Sequence, residues 1–118
     1  MLGNTVPNHV YLACGSTDMR KSIDGLAAIV TFSFKLDVFS DSLFVFCNRG
    51  RDKLKILYWD TNGFWLFYRR LERGRFRWPE SDESGTMSVS RRQLGWLLEC
   101  LSLEQHQAHR EVLARKVA

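Results

Sequence analysis

The chain has 118 residues, of which 25% are charged and 45% are hydrophobic, so its composition fits one folded domain and excludes a disordered or fibrous chain. Its formal net charge of +4 is local, because residues 49–77 hold nine Lys/Arg and three acids, a net +6, and the rest sums to −2. No signal-peptide pattern opens the sequence and no apolar run is long enough for a membrane span, so we predict a cytoplasmic protein without a membrane partner.

The first predicted elements are a strand and a helix. His9–Cys14 is a short β-prone run, and Ser16 or Thr17 can cap a helix after it. The apolar residues that follow recur at helical spacing: Met19, Ile23, Leu26, Ala27 and Val30. We expect this helix to end near Phe32.

The central region, residues 43–79, reads as antiparallel strands joined by turns. Leu43–Cys47 is unbroken apolar, which predicts a strand covered on both faces. Lys53–Trp59 and Phe64–Leu71 predict a hairpin. Arg75–Trp78 then alternates arginine with aromatic rings before a proline, which predicts a further strand.

Two registers of the hairpin fit the sequence. A two-residue type I′ turn at Asn62-Gly63 pairs Lys55 with Arg70. A type I turn followed by a left-handed Gly63 pairs Lys55 with Arg69. Both place Lys55 opposite an arginine, an unfavourable like-charge pair. An anion that bridges the pair would relieve the repulsion, and splaying of the long side chains into solvent would do so as well.

The C-terminal third begins with an acidic connector and continues as helix. Residues 80–87 hold three acids, and Ser90–Gln93 is a capping box of the S-x-x-Q type. A leucine stripe at i, i+3, i+4 and i+7 follows: Leu94, Leu97, Leu98 and Leu101.

These elements predict a single α+β domain, in which an antiparallel sheet of three to five strands packs against an N-terminal helix and one or two C-terminal helices. The predicted segments are a loose arm (1–8), a strand plus helix (9–36), the sheet (43–79), the acidic connector (80–87) and the C-terminal helices (90–117).

A sheet that mixes cations with rings predicts nucleic-acid binding, because lysine and arginine neutralise phosphates and exposed rings stack on bases. The predicted backbone contacts are Lys53, Lys55, Arg69, Arg70, Arg75 and Arg77. The predicted stacking residues are Trp59, Trp65 and Tyr68. A solubilised sheet face over an aromatic core explains the same composition.

Catalytic and metal-binding sites are not predicted. Asp52 and Asp60 fall in turns, and His106 and His109 lack a third ligand. Gly15–Asp18 fits helix capping better than an anion site. The three widely spaced cysteines, Cys14, Cys47 and Cys100, fit buried reduced thiols. We therefore expect no enzyme activity, no cofactor and no small-molecule ligand.

Three runs in order carry a family resemblance: VYLACGSTDMRKSIDGLAAIV (10–30), LFVFCNRGRDKLKILYWDTNGFWLFYRRLERGRFRWP (43–79) and SRRQLGWLLECL (90–101). They resemble the small accessory proteins of insertion-sequence 66 elements, the second-reading-frame products labelled TnpB, which are distinct from the RNA-guided nuclease of that label. The resemblance implies a bacterial mobile element and a protein without assigned catalytic residues. It also implies partners, namely a separate DDE-type transposase and other accessory proteins of the element.

The leading functional prediction is therefore non-catalytic assistance to transposition by binding the DNA of the element ends. The alternative is a protein-interaction adaptor that binds the transposase or another accessory subunit without contacting DNA. A homo-oligomer is compatible with both.

Overall fold

Five strands form one open sheet in the computed structural model, which describes residues 7–81 and 83–104. The strands are β1 (His9–Ala13), β2 (Ser42–Cys47), β3 (Lys53–Asp60), β4 (Gly63–Arg70) and β5 (Thr86–Val89). The helices are α1 (Ile23–Ala28), which continues as a π-helical turn at Ile29–Ser33, and α2 (Arg91–Leu98). The predicted α+β class is confirmed.

The spatial order of the strands is β4-β3-β2-β1-β5. Because α1 connects β1 to β2, these two strands run parallel, whereas every other neighbouring pair is antiparallel. At one end of the strands, the sheet therefore presents the carboxyl ends of β1 and β2, the start of β3 and the end of β4.

The first helix begins later than predicted. Neither Ser16 nor Thr17 caps it, because the Thr17 N–H bonds the Cys47 carbonyl at 2.8 Å and holds this stretch against the end of β2. Ser22 precedes the helix and makes no side-chain cap bond. The predicted end near Phe32 is confirmed, since the π-helical turn closes at Ser33.

β2 lies at the centre of the core, and all six of its residues are buried, as its unbroken apolar run predicted. One face of the sheet packs against α2 and the chain after β4; its buried residues include Leu43, Val45, Ile56, Phe76, Trp78, Leu94 and Leu97. The other face packs against α1; its buried residues include Phe44, Phe46, Leu57, Leu26 and Val30.

The strand predicted at Arg75–Trp78 is wrong, because this segment has no regular secondary structure. Its alternation still reports burial: Phe76 and Trp78 are buried, and the two arginines are exposed. The Phe76 N–H bonds the Arg51 carbonyl at 2.7 Å, and the Trp78 indole N–H bonds the Ala13 carbonyl at 2.9 Å. The segment is thus held by hydrogen bonds to the β2–β3 turn and to the end of β1, and not by strand pairing.

β5 was not predicted, because residues 86 and 87 were assigned to the acidic connector. Thr86–Val89 pairs antiparallel with β1 and forms one edge of the sheet. The sequence TMSV is short and carries no turn signal, so its strand character comes from pairing with β1.

The predicted capping box of α2 is confirmed. The Ser90 hydroxyl accepts from the Gln93 N–H at 3.0 Å, and the Gln93 side chain accepts from the Ser90 N–H at 2.9 Å. The helix ends at Leu98, before Leu101, because Cys100 adopts a left-handed backbone with φ of +63°.

The predictions for most of the N-terminal arm and for the tail, including His106 and His109, lie outside the described residues. In the part that the structure describes, none of the helices combines the length and apolarity needed to cross a membrane.

Candidate nucleic-acid interface

The hairpin register differs from both predicted registers. Asp60 pairs with Gly63, so the connecting residues are Thr61 and Asn62, and Thr61 takes a left-handed φ of +55°. Gly63 therefore belongs to β4 and not to the turn. Each residue of β3 is consequently opposed by a residue of β4 that lies closer to the hairpin turn than either predicted register gave.

This register overturns the prediction that Lys55 faces an arginine, because Tyr68 lies opposite Lys55. The Lys55 ammonium donates to the carbonyl oxygens of Met19 and Lys21 at 2.7 and 2.8 Å, and it lies 6.0 Å from the centre of the Tyr68 ring. Two charge-assisted hydrogen bonds to the loop before α1 give Lys55 a structural task. They leave it poorly placed to contact a phosphate.

A like-charge pair does exist, but it lies at the far end of the strands, where Lys53 opposes Arg70. The Arg70 guanidinium donates to Glu72 at 2.8 and 3.1 Å, and this hydrogen bond raises the pKa of Arg70. The neighbouring carboxylate offsets part of the repulsion without an added anion.

The cations of residues 49–77 collect where β3 begins and β4 ends. We call this surface the basic end, and its eight residues are Arg49, Arg51, Lys53, Arg69, Arg70, Arg73, Arg75 and Arg77. Because strand neighbours alternate between faces, Arg69 and Arg70 point to opposite faces of the sheet. The basic end is therefore a rim across the sheet and not one flat face, as the prediction of a basic sheet had implied.

Buried side chains position the arginines of the chain after β4. Phe76 is 2% exposed and Trp78 is 6% exposed, and their burial leaves the intervening Arg77 and the preceding Arg75 in solvent. The Arg51 side chain ties this segment to the β2–β3 turn by donating to the Trp78 carbonyl at 3.0 Å and to Glu80 at 3.3 Å.

The basic end contains both paired and unpaired cations. Arg51 and Arg70 form ion pairs with Glu80 and Glu72. The remaining arginines of the basic end are exposed, and they form no ion pair or side-chain hydrogen bond with the described part of the chain: Arg49, Arg69, Arg73, Arg75 and Arg77. Sequence reasoning left Arg49 and Arg73 out of the predicted contacts, although both belong to the same charge run.

A further carboxylate near these cations, Asp52, is held by a local hydrogen bond. The Asn48 amide donates to Asp52 at 2.8 Å, and this hydrogen bond lowers the pKa of Asp52. The Asp52 N–H in turn bonds the Asn48 side-chain oxygen at 3.0 Å. Asp52 thus shapes the β2–β3 turn.

The rings lie mostly at the other end of the hairpin. We call this surface the aromatic end, and its residues are Phe39, Trp59, Phe64 and Trp65. Trp59 is half-buried and makes edge contacts with Phe39 and Phe64 at centroid distances of 4.9 and 5.0 Å. Trp59 lies six positions after Lys53 along β3, which is roughly 20 Å at the usual strand rise.

Two of the predicted stacking residues, Trp59 and Trp65, therefore lie apart from the predicted backbone contacts of the basic end. Trp65 is 44% exposed, stacks on Phe67 and donates its indole N–H to Asp60 at 3.3 Å. Tyr68, at 54% exposed, is the predicted ring nearest the basic end. The sequence analysis did not single out Phe32 and Phe39, which are 76% and 58% exposed.

The cysteines differ in their surroundings. Cys47 is buried, and burial raises the pKa of its thiol to about 11. Cys14 and Cys100 are half-buried, so the prediction of three buried thiols is wrong for these two. Among residues 7–81 and 83–104, no group of three or more His, Cys, Asp or Glu side chains is arranged to hold a metal ion.

Known proteins resemble this chain over most of its length. The family model described as IS66 Orf2 like protein matches residues 8–108. The uncharacterized protein y4hO of Sinorhizobium fredii (strain NBRC 101917 / NGR234) is 44% identical over 89 residues, which are 75% of this chain and 76% of that protein. The uncharacterized protein y4jC of the same strain is 32% identical over 79 residues, which are 67% of this chain and 68% of that protein. No solved structure matches the chain.

Proposed function

Because this chain belongs to the IS66 Orf2-like family of non-catalytic accessory proteins of transposition, we propose that it assists transposition by binding the DNA of the element through its basic end. The observation that carries the proposal is a set of five exposed arginines on one rim of the sheet that form no ion pair with residues 7–81 and 83–104: Arg49, Arg69, Arg73, Arg75 and Arg77. The DNA and the other proteins of the element, including the DDE-type transposase, are the proposed partners.

Electrostatics supports a phosphate ligand for this rim. Unpaired guanidinium groups that remain in solvent keep their capacity for charge-assisted bonds to phosphate oxygens. A row of cations also releases counterions when it neutralises a DNA backbone, which makes binding strongly salt-dependent. Base stacking contributes less in this proposal, because two of the exposed rings, Phe39 and Trp65, lie at the other end of the hairpin.

The proposal keeps some predicted contacts and revises others. Arg69, Arg75 and Arg77 remain primary phosphate contacts, and Lys53 and Arg70 are secondary because one is half-buried and the other is paired. Lys55 is removed, since its ammonium bonds two backbone carbonyls.

Affinity measured against salt tests the proposal. Duplexes carrying the terminal repeats of the element and random duplexes of equal length would be titrated by fluorescence anisotropy over a range of salt concentrations. Five phosphate contacts give a log–log slope of about −4.5. A flat response, or no binding at low salt, would remove DNA binding from the proposal.

A matched pair of double variants localises the contact. Arg75→Gln/Arg77→Gln removes two cations from the basic end and should reduce the magnitude of the slope by about 2. Arg91→Gln/Arg92→Gln removes the same charge from exposed positions at the start of α2, beside the opposite end of β1. This control should leave the slope nearly unchanged, and equal effects of the two variants would show that the basic end is not the contact.

The exposed phenylalanines favour a second candidate function, an adaptor that binds the transposase or another accessory protein. Phe32 and Phe39 are large apolar side chains that remain mostly in solvent, and such residues are enriched at protein interfaces. Co-purification with the transposase of the same element, lost in Phe32→Ser/Phe39→Ser but retained in Arg75→Gln/Arg77→Gln, would support this function.

A further inference from the structure

β4 is an edge strand with few of the features that usually protect such an edge. It has eight residues in continuous pairing with β3, and none of its residues is buried. Its middle is the run Phe64–Tyr68, five apolar or aromatic residues without a charge, a proline or a glycine. Edges are normally blunted by short length, charges, prolines or bulges, and here only the last two residues are charged.

The open hydrogen-bonding groups of this edge can be assigned. The Leu71 N–H bonds the Asp52 carbonyl at 2.7 Å, so odd-numbered residues of β4 direct their backbone groups toward β3. The even-numbered residues from Phe64 to Arg70 therefore point theirs outward. In the described part of the chain, no strand pairs with this side of β4.

We propose that this edge pairs antiparallel with β4 of a second copy of the chain, which would join two five-stranded sheets into one of ten strands. A two-fold axis perpendicular to the sheet keeps α1 on the same side in both copies, so residues of equal parity oppose each other. The register with Phe67 opposite itself satisfies this condition. It also makes hydrogen-bonded pairs of the outward residues, Phe64 with Arg70 and Leu66 with Tyr68.

The side chains suit this register. Arg69 of one copy opposes Trp65 of the other, and Arg70 opposes Phe64, so each guanidinium meets an aromatic ring and the arginines of the two copies stay apart. Each basic end would then lie beside the partner's hairpin turn, whose Asp60 is acidic. This charge complementarity favours a second copy over a basic partner or a nucleic acid at the same edge.

The opposite edge of the sheet offers a control. β5 has four residues. The Cys14 N–H bonds the Gly85 carbonyl at 3.0 Å, so by the same alternation Ser88 directs its N–H away from β1. Ser88 and Tyr68 are thus exposed residues with outward N–H groups on the two edges of one sheet.

Sedimentation velocity of the full chain over roughly a hundredfold range of concentration is the first test, because a dimer dissociates on dilution. The wild-type chain should move from monomer to dimer as its concentration rises. Tyr68→Pro removes one outward N–H without removing a bond to β3, and this variant should stay monomeric. Ser88→Pro should dimerise like the wild type.

A monomeric wild type at every concentration would overturn the proposal, and so would equal loss of dimer in the two proline variants. Circular dichroism and thermal melting establish that each variant is folded.

Cysteine cross-linking tests the register and does not depend on the proline variants. In the proposed register the two Phe67 residues face each other at about 5 Å between Cα atoms, within disulfide range, whereas the two Phe64 residues lie roughly 20 Å apart. Phe67→Cys should therefore give a covalent dimer on mild oxidation that a thiol reductant reverses, and Phe64→Cys should match the wild-type background. Equal cross-linking of the two variants would contradict the paired edge.

Discussion

The two ends of the β3–β4 hairpin are built from the same two strands but carry different surfaces. At the aromatic end, rings contact other rings, and the Asp60 carboxylate accepts from the Trp65 indole. At the basic end, eight cationic side chains lie together, and five of the arginines keep their guanidinium groups in solvent. Charge and aromatic content averaged over the sequence of the hairpin therefore describe neither end.

The two ends are also held together differently. The aromatic end is stabilised by contacts between the rings of the hairpin and the ring of the adjacent Phe39. The basic end depends on a segment outside the sheet, anchored by Phe76 and Trp78. The comparison implies that charge at the basic end can change with little loss of stability, whereas its buried anchors cannot.

The largest expected effect follows from removing an anchor of the basic end. Phe76→Ala empties a site that is 2% exposed, and we expect a loss of about 3–5 kcal/mol in the free energy of unfolding, measured by urea denaturation. Arg77→Ala, one residue away and exposed, should change it by less than about 0.5 kcal/mol. If both variants cost the same, the segment is not anchored by burial.

Lys55 gives the next largest effect, because it joins the sheet to the loop before α1. Lys55→Met keeps the aliphatic stem but loses two hydrogen bonds to carbonyl oxygens, which should cost about 1–3 kcal/mol in the free energy of unfolding. Lys53→Met, two residues earlier on the same face, is the control and should cost less. A salt slope for DNA binding that falls in Lys55→Met would restore Lys55 as a phosphate contact.

A smaller effect is expected at the aromatic end. Phe39→Ala removes the ring contacts to Trp59 and Phe64 from a side chain that is already 58% exposed, so we expect a loss of about 0.5–1.5 kcal/mol in thermal or chemical unfolding. DNA affinity should not change. If affinity falls while the fold is intact, nucleic acid contacts the aromatic end, and the assignment of DNA binding to the basic end alone is wrong.

Much of this architecture could be predicted from local patterns. The apolar run of β2, the capping box at Ser90 and the alternation of Phe76 and Trp78 each report burial or backbone bonding within a few residues. The first two signals located the core strand and the start of α2, whereas the third was interpreted as a strand although it reports only the burial of Phe76 and Trp78.

The errors arose where a distant partner decides the structure. Thr17 does not cap α1 because its N–H bonds Cys47, and residues 86–89 become a strand because β1 is beside them. The hairpin turn closed at Thr61 and Asn62, although Asn62-Gly63 is the stronger turn signal, and this change moved Tyr68 opposite Lys55. The prediction of Lys55 as a phosphate contact was affected by this error, since the proposed like-charge pair depended on the register.

The smallest predicted effect concerns the loop that Lys55 holds, where Asp18 accepts hydrogen bonds from the Arg20 backbone and guanidinium at 2.8 to 3.1 Å. The side-chain hydrogen bond from Arg20 lowers the pKa of Asp18 from 3.8 to about 2. A carboxyl group whose pKa is lower in the folded state stabilises the fold above about pH 4, and this contribution is lost as the pH falls toward 2.

The pair is exposed, so the contribution should be small. Unfolding by urea at pH 6 and at pH 2.5 should therefore show a slightly smaller loss of stability on acidification in Asp18→Asn than in the wild type, whereas Glu83→Gln, at another exposed carboxylate, should match the wild type. An unchanged pH dependence in Asp18→Asn would mean that solvent screens the Arg20 contact completely. The loop at the basic end would then be held by Lys55 and by the Thr17 bond to Cys47, without help from its surface ion pair.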